Sequence, residues 1–375
     1  MNILFVVVVP FPFGDASSIR AYNLCKLMNM SGINVHVISD YPTKVPLKNK
    51  LKFCTYEDCQ SQKEEKSIVK KSLERVNNYI NTHKVDAVLT NARYDRFNKL
   101  VDICKKNNLK IYVESCEWYD STSFKLGKLD PRFWANEKMI RVGFKKANGF
   151  ISISQFLDQH NKSFGVNSVR IPTILDVKNT DWKKENKNMK IQLVYAGSLG
   201  KSKELLGPII RVLATHKDIR DKIIFHIYGP SKEIVSKNIK NKDILKKVEE
   251  CVKIHGRVPQ TQIPEIMKNA DFVFFMRPYR KSSQAGFPTK LGESMAVGTP
   301  IITNNTGDIS MYLNTGENGF IIPSLVENDL YQTLKKICSL SNCEMVAIRK
   351  NARKTAEKYF DYRVYQEKIK LLFEI

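Results

Sequence analysis

Residues 285–300 read Ala-Gly-Phe-Pro-Thr-Lys-Leu-Gly-Glu-Ser-Met-Ala-Val-Gly-Thr-Pro. Two side chains in this stretch have types that act together on one kind of ligand. Lys290 carries a full positive charge suited to a phosphate. Glu293, one helical turn later, offers an acceptor for hydroxyl groups. Gly286 and Pro288 break any regular pattern, so the stretch predicts a loop. A short helix from Leu291 to Ala296 follows, stopped by Gly298, and an apolar strand opens at Pro300. A loop feeding a helix N-terminus leaves backbone N–H groups unpaired and presents a partial positive charge. The amides of Gly286 and Phe287 fall at that point. Cation, amides and carboxylate together suit a phosphorylated, hydroxyl-rich ligand.

Other candidates stand where strands are expected to end. Gly197-Ser198-Leu199-Gly200-Lys201-Ser202-Lys203-Glu204 follows a predicted strand, Ile191 to Ala196. His255-Gly256-Arg257-Val258-Pro259 closes another. The apolar run Asp271 to Met276 delivers Arg277 toward the 285–300 motif. Near the N-terminus, Gly14 lies in a loop after the aliphatic run Asn2 to Val9, where a glycine lets the backbone approach a phosphate. Glu114-Ser115-Cys116-Glu117-Trp118-Tyr119-Asp120 follows a further strand and supplies two loop acids. His226 and His255 read as core strand residues.

The ordered series of motifs from Gly197 to Pro323 resembles the retaining, nucleotide-sugar-dependent glycosyltransferases of GT-B fold, in their large family four (group 1). In that family a Glu, seven residues and a second Glu precede a small-residue helix, Gly-x-Pro and an apolar strand. Glu293 matches the second Glu, and Ala285 stands at the first. The Phe-Pro-Thr-Lys wording matches a branch in which Gly, Phe, Thr and Lys surround a diphosphate. The resemblance therefore implies donor-binding roles for Ala285, Gly286, Phe287, Thr289, Leu291 and Glu293. It places Lys290 and Lys203 as the catalytic cations on the leaving diphosphate, with Gly197 and Ser198 beside them. Ser198 occupies the family's Arg position, a loss that Lys201, Arg277 or Lys290 would offset. The backbone of Arg257 and Val258 would flank a nucleobase, as in the family's Gly-x-Val turn. Gly14 would stand at the diphosphate from the other domain. Glu117 or Asp120 would fill the place of the polar residues facing donor sugar and acceptor, and Glu117 is the catalytic candidate.

These motifs need a scaffold of parallel strands, and the sequence supplies one. Hydrophobic runs of strand length alternate with amphipathic helical stretches, so the fold class is α/β. The resemblance makes it GT-B, two Rossmann-like doubly wound domains facing across a cleft. The expected division is an N-terminal acceptor-side domain, 1–177, a polar linker at 178–190, and a donor-binding domain at 191–357. The last helix, 358–375, would pack back on the first domain. Within the first domain, Tyr41 to Gln60 reads as irregular. Ser17 and Ser18 read as caps of the first helix, and Asn136 to Asn148 as a basic helix able to lie on anionic lipid.

The 375 residues carry a net charge of +23 and 42% hydrophobic residues, an ordinary globular content. The positive excess is spread along the chain with no basic tail, and favours phosphorylated substrates or an anionic membrane surface. No nucleic-acid module is recognisable. Eight cysteines are scattered without a Cys-x-x-Cys pair, and no Asp-x-Asp occurs, so no metal and no cofactor is expected. Several cysteines read as buried free thiols, which suits a reducing cytoplasm. Met1 to Pro12 lacks a basic n-region and a cleavage site, and reads as a buried strand. No run is long enough to span a membrane, so the expected location is cytoplasmic, with peripheral contact on the inner membrane face.

The function implied is transfer of a sugar from a nucleoside diphosphate, UDP ahead of GDP, to a hydroxyl of a glycan or lipid-linked acceptor. Bacterial surface polysaccharide synthesis is the setting that the family suggests. Three alternatives stay open: a non-catalytic GT-B scaffold on an anionic surface, a nucleotide-sugar epimerase, and an inverting transferase.

Overall fold

The computed structural model describes residues 1–42, 51–57, 65–186, 188–199, 204–239 and 242–375, with the backbone alone for 65–69 and 242. The N-terminal aliphatic run becomes β1 (Asn2–Val7), buried on both faces. It lies inside a parallel sheet with β2 (Asn34–Ser39), β3 (Thr55–Glu57), β4 (Ala87–Thr90), β5 (Lys110–Ser115), β6 (Gly149–Ser152) and β7 (Asn167–Arg170), in the order β3-β2-β1-β4-β5-β6-β7. The second sheet contains β8 (Ile191–Ala196), β9 (Ile223–Tyr228), β10 (Val252–Gly256), β11 (Phe272–Phe274), β12 (Ile301–Asn304) and β13 (Gly319–Ile322), in the order β10-β9-β8-β11-β12-β13. Every described pairing is parallel. Helices complete the crossovers, because parallel strands cannot be joined by tight turns.

The chain divides into two units: Met1–Asp176 with Ala285–Phe287 and Tyr362–Ile375, and Val177–Gln284 with Pro288–Asp361. In the first unit the C-terminal helix Gln366–Phe373 joins the core around β1, burying Ile369, Leu372 and Phe373 with Ile3, Phe5 and Leu27. Phe373 meets the edge of Tyr112 at 4.7 Å. Buried polar bonds fix the carboxyl side of this sheet. Arg20 pairs with Glu114 at 2.8 Å and donates to the carbonyls of Ile171 and Pro172, and Asn23 donates to the Ile174 carbonyl at 2.8 Å.

Several local expectations change. The first helix begins at Ala16, and its cap is Asp15, whose Oδ1 accepts from the Ser18 amide at 2.9 Å; Ser17 and Ser18 lie inside the first turn. An Asp that precedes two serines competes better for this place, because its ionised oxygen also complements the helix dipole. β3 stands within the stretch read as irregular, as a short edge strand. β7 gives little sign of itself in the sequence, since its four residues mix polar and apolar types with little period. The basic helix runs Pro131–Arg141, opened by the Asp130 cap with Pro131 in its first turn, and gives way to a 3₁₀ turn at Gly143–Lys146. Within and beside the stretch expected as a linker, several groups are bonded to the second unit. Arg353 donates to the Val177 and Thr180 carbonyls at 2.8 and 2.9 Å, and Asn186 donates to the Ala270 carbonyl at 2.7 Å.

Candidate functional site

In an open parallel sheet the ligand crevice lies beyond the carboxyl ends of the strands, where the strand order reverses. In the second sheet that point falls at β8, between β9 and β11. Gly197 follows β8 and Arg277 comes soon after β11, so the topology brings together two residues 80 positions apart in sequence.

The motif loop is shorter than its sequence suggests. A five-residue helix, Lys281–Ala285, precedes it, and the next helix begins at Thr289 rather than Leu291, with Pro288 in extended backbone before it and no side-chain cap. Residues 286–288 alone form the break. Proline at the cap position is compatible with the turn because its missing N–H would find no partner inside the helix. Lys290 therefore sits in the first helical turn. Its Nζ lies 2.7 and 2.9 Å from the two carboxylate oxygens of Glu204, and 5.1 Å above the ring of Tyr195. The Tyr195 hydroxyl donates to Glu204 Oε2 at 2.5 Å.

The glycines here answer to space. A Cβ on Gly197 would lie 2.7 Å from Lys290 Nζ. A Cβ on Gly229 would lie 2.1 Å from the Gly197 carbonyl oxygen, and its φ of 112° disfavours any other residue. The turn after β9 is thus threaded directly beneath the turn after β8. Gly229 donates to the Gly256 carbonyl at 2.7 Å, which continues the row to β10. Arg257 is exposed and Val258 half-buried just beyond it.

Charge in this cluster is balanced internally. Burial pushes the Glu204 carboxyl up, but the ammonium and hydrogen bond of Lys290, the Tyr195 hydroxyl and the charge of Arg277 prevail and hold it below its ordinary value. Burial, with the adjacent Glu204 charge, drives the Tyr195 phenol well above its ordinary range. Arg277 is buried, and Asn304 at the end of β12 clamps its backbone with two 2.8 Å bonds. Glu293 is half-buried; loss of water raises its carboxyl above the ordinary value, against the opposing pull of Lys290 and a bond from Thr289. Such an acid accepts a hydrogen bond from a ligand hydroxyl readily, since neighbouring water competes little for it.

Of the predicted site residues, Gly197, Arg277, Thr289, Lys290 and Glu293 belong to this second unit and surround one strand-end region. Ser198 is exposed. Leu291 faces the core fully buried, and its amide is taken by the Pro288 carbonyl at 3.0 Å, so it presents no group to a ligand. Lys203 and Lys201 lie outside the described residues. Ala285, Gly286 and Phe287 group with the first unit, where the Ser154 hydroxyl donates to the Ala285 carbonyl at 2.6 Å.

In the first unit, Gly14 is half-buried in the loop after β1. Glu117 is half-buried after β5, with its carboxylate accepting from the Tyr119 hydroxyl and its carbonyl held by Arg93 at 2.8 Å. Asp120 is committed to the Thr122 amide at 3.0 Å as a turn cap. Between the two alternatives for this loop, the structure leaves Glu117 as the acid not spent on a cap. His226 and His255 are not core residues. They lie on an open face of β9 and β10, half-buried and exposed, with ring nitrogens 2.9 Å apart and Tyr228 stacked on His255 at 4.2 Å.

Sequence reasoning passed over Glu204 and Tyr195. The only signal was a carboxylate directly after the Gly-loop lysine and a phenol two residues before Gly197, and neither spacing implies the other. Among the described residues, no helix is long and apolar enough to cross a membrane, and no three His, Cys, Asp or Glu side chains converge.

Comparison with known proteins bears on the family and the fold. Residues 176–357 match the sequence model of the family described as glycosyl transferases group 1. WcaL of Escherichia coli (strain K12), named as a glycosyltransferase of colanic acid biosynthesis, is 25% identical over 130 residues, 34% of this chain and 32% of that protein. The match therefore spans about a third of WcaL's length. The crystal structure of HepE (Alr3699) from Anabaena, in complex with UDP, aligns at a TM-score of 0.69 and 15% identity, over 100% of each chain. Sucrose-phosphate synthase from Thermosynechococcus elongatus aligns at 0.74 and 14% identity, over 100% of this chain and 98% of that one. At these identities the likeness is one of fold.

Proposed function

From a chain whose residues 176–357 are of the glycosyl transferases group 1 and whose α/β fold is that of GT-B glycosyltransferases, we propose an enzyme that moves a sugar from a nucleoside diphosphate to a hydroxyl acceptor with retention at the anomeric carbon. The observation that carries it is Lys290, held by Glu204 beside Gly197 at the switch point of the second sheet. The bond from the anomeric carbon to the β-phosphate oxygen breaks, and the acceptor oxygen forms the new bond to that carbon. The acceptor proton passes to a phosphate oxygen of the donor, and the nucleoside diphosphate leaves. Negative charge grows on the diphosphate along this path. Lys290, Lys203 and the amides at Gly286 and Phe287 stabilise it, and charges preorganised in this way usually contribute more to such catalysis than any other single effect. Glu293 accepts a ribose hydroxyl, the backbone at Arg257 and Val258 borders the base, and Glu117 serves the acceptor side. None of these steps calls for a metal ion.

UDP is the first donor nucleotide to test, because HepE was crystallised with it. A glycan or lipid-linked acceptor of bacterial surface polysaccharide synthesis fits the name of WcaL, and peripheral contact with an anionic inner-membrane face fits the net charge of +23. The deciding experiment incubates the protein with a panel of UDP- and GDP-sugars, with and without lipid-linked acceptors, and follows nucleotide release. Release with one donor, raised by an acceptor, supports the reading. No release from any combination favours a non-catalytic scaffold, for which Ala285 in place of the first Glu and the exposed Ser198 in place of a cation are the arguments.

A further inference from the structure

We infer that the surface formed by residues 124–138 of the first unit docks on an anionic lipid bilayer. This rests on the reading of the chain as a transferase whose acceptor is carried by lipid, and it assigns the place where the protein meets that lipid.

Three large apolar side chains stand in water here. Leu126 is 61% exposed, Leu129 85% and Trp134 60%. They are not scattered. Leu126 and Leu129 bracket the 3₁₀ turn Gly127–Leu129, closed by a 3.1 Å bond from the Leu129 amide to the Leu126 carbonyl. Gly127 between them takes a left-handed backbone at φ 58°, so the chain reverses sharply and keeps the two exposed leucines in one short turn. Trp134 is tied to the same turn by its indole N–H, which donates to the Lys128 carbonyl at 2.8 Å. That bond satisfies the only polar atom of the ring. Beneath the surface, Phe124 and Phe133 pack at 6.0 Å and support it.

The charges between these residues have one sign. Lys125, Lys128 and Lys138 are exposed. The two acids of the segment are turned inward. Asp130 is 2% exposed, capping the following helix and paired with Arg132 at 2.7 Å. Glu137 is buried, bonded to the Trp118 indole at 2.6 Å and to Arg141 at 2.9 Å. The outer surface therefore offers protruding Leu, Leu and Trp among lysines, with its acids withdrawn.

This pattern suits a membrane better than a protein. Protein interfaces deplete lysine at their core, whereas an anionic leaflet attracts each lysine and lets its stem lie along the apolar region. Tryptophan favours the headgroup level of a bilayer. The net charge of +23 adds attraction over the whole molecule.

The test is co-sedimentation of the full chain with phosphatidylcholine vesicles, with or without phosphatidylglycerol. Binding is expected to vesicles that contain phosphatidylglycerol, to weaken with added salt, and to be slight on phosphatidylcholine alone. The double variant Lys125→Glu/Lys128→Glu should lower partitioning by roughly thirtyfold or more. Leu126→Ser/Leu129→Ser should lower it by at least about tenfold. Because these side chains are exposed, thermal melting should stay within a few degrees of wild type, which separates loss of docking from misfolding. Nucleotide release, measured without vesicles, should be unchanged in both variants. Docking without nucleotide release would overturn the transferase reading and leave the surface assigned. Wild-type protein that stays in the supernatant, variants that partition as wild type does, or a self-association that the leucine variant abolishes would each overturn the surface.

Discussion

At the scale of single residues, the donor site is a problem of placing positive charge without leaving it unbalanced. Lys290 is mostly buried, and Glu204 with Tyr195 holds its ammonium at one spot before any ligand arrives. Replacing Lys290 by Ala should cut turnover by roughly 10²–10³, and Lys203→Ala by as much, since each removes one charge from the developing leaving group. Single-turnover rates that stay at wild-type level in both would end the catalytic assignment. Glu204 makes a separate prediction. Its carboxyl lies below its ordinary value when folded, so it contributes stability that is present above the unfolded pKa and is lost as pH falls through the folded one. Urea unfolding of wild type and Glu204→Gln should differ most near neutrality. The difference should close as pH drops below about 4.3, the ordinary glutamate value. A gap constant from about pH 7 to about pH 3 would show that the pair carries no linkage.

At the scale of elements, short signals decided the boundaries and partners decided the orientation. The carboxyl end of β8 was legible from its aliphatic run and the glycine after it. The start of the motif helix was not, because Thr289 and Lys290 look like loop residues until Pro288 is seen to sit outside the first turn. The terminal helix Gln366–Phe373 shows the same division. Its apolar period announces a buried face, but only contact with Tyr112 and β1 shows which core it completes. Phe373 is 4% exposed. Phe373→Ala should destabilise the first unit by about 3 kcal/mol, the lower end for removing a buried ring. Denaturation followed by a probe in that unit checks this, and a loss under about 1 kcal/mol would mean that the helix is only loosely seated.

At the scale of the whole molecule, two sheets with their own cores share one chain that leaves the first unit at Val177, touches it again at Ala285–Phe287 and returns to it at Tyr362. A ligand held by the second unit stabilises that unit by mass action. UDP at about 100 times its dissociation constant should add about 2.7 kcal/mol, visible as a rise in the melting transition. No rise with either UDP or GDP up to millimolar concentration would count against a nucleotide site. The basic surface acts at the same scale, since its attraction for anions is summed over lysines that touch nothing in common.

By itself the sequence determined the alternation of strand and helix, the parallel sheets that follow from it, and the glycine and lysine positions at the strand ends. These depend on hydrophobic period and backbone freedom, which are local properties. Only the tertiary structure decided that Glu204 and Tyr195 hold Lys290, that Leu291 turns inward, that the two histidines lie on an open face, and that Trp134 is tied to the exposed turn of Leu126 and Leu129. Each of these depends on which distant segments come within a few ångströms, and spacing along the chain carries no record of that distance.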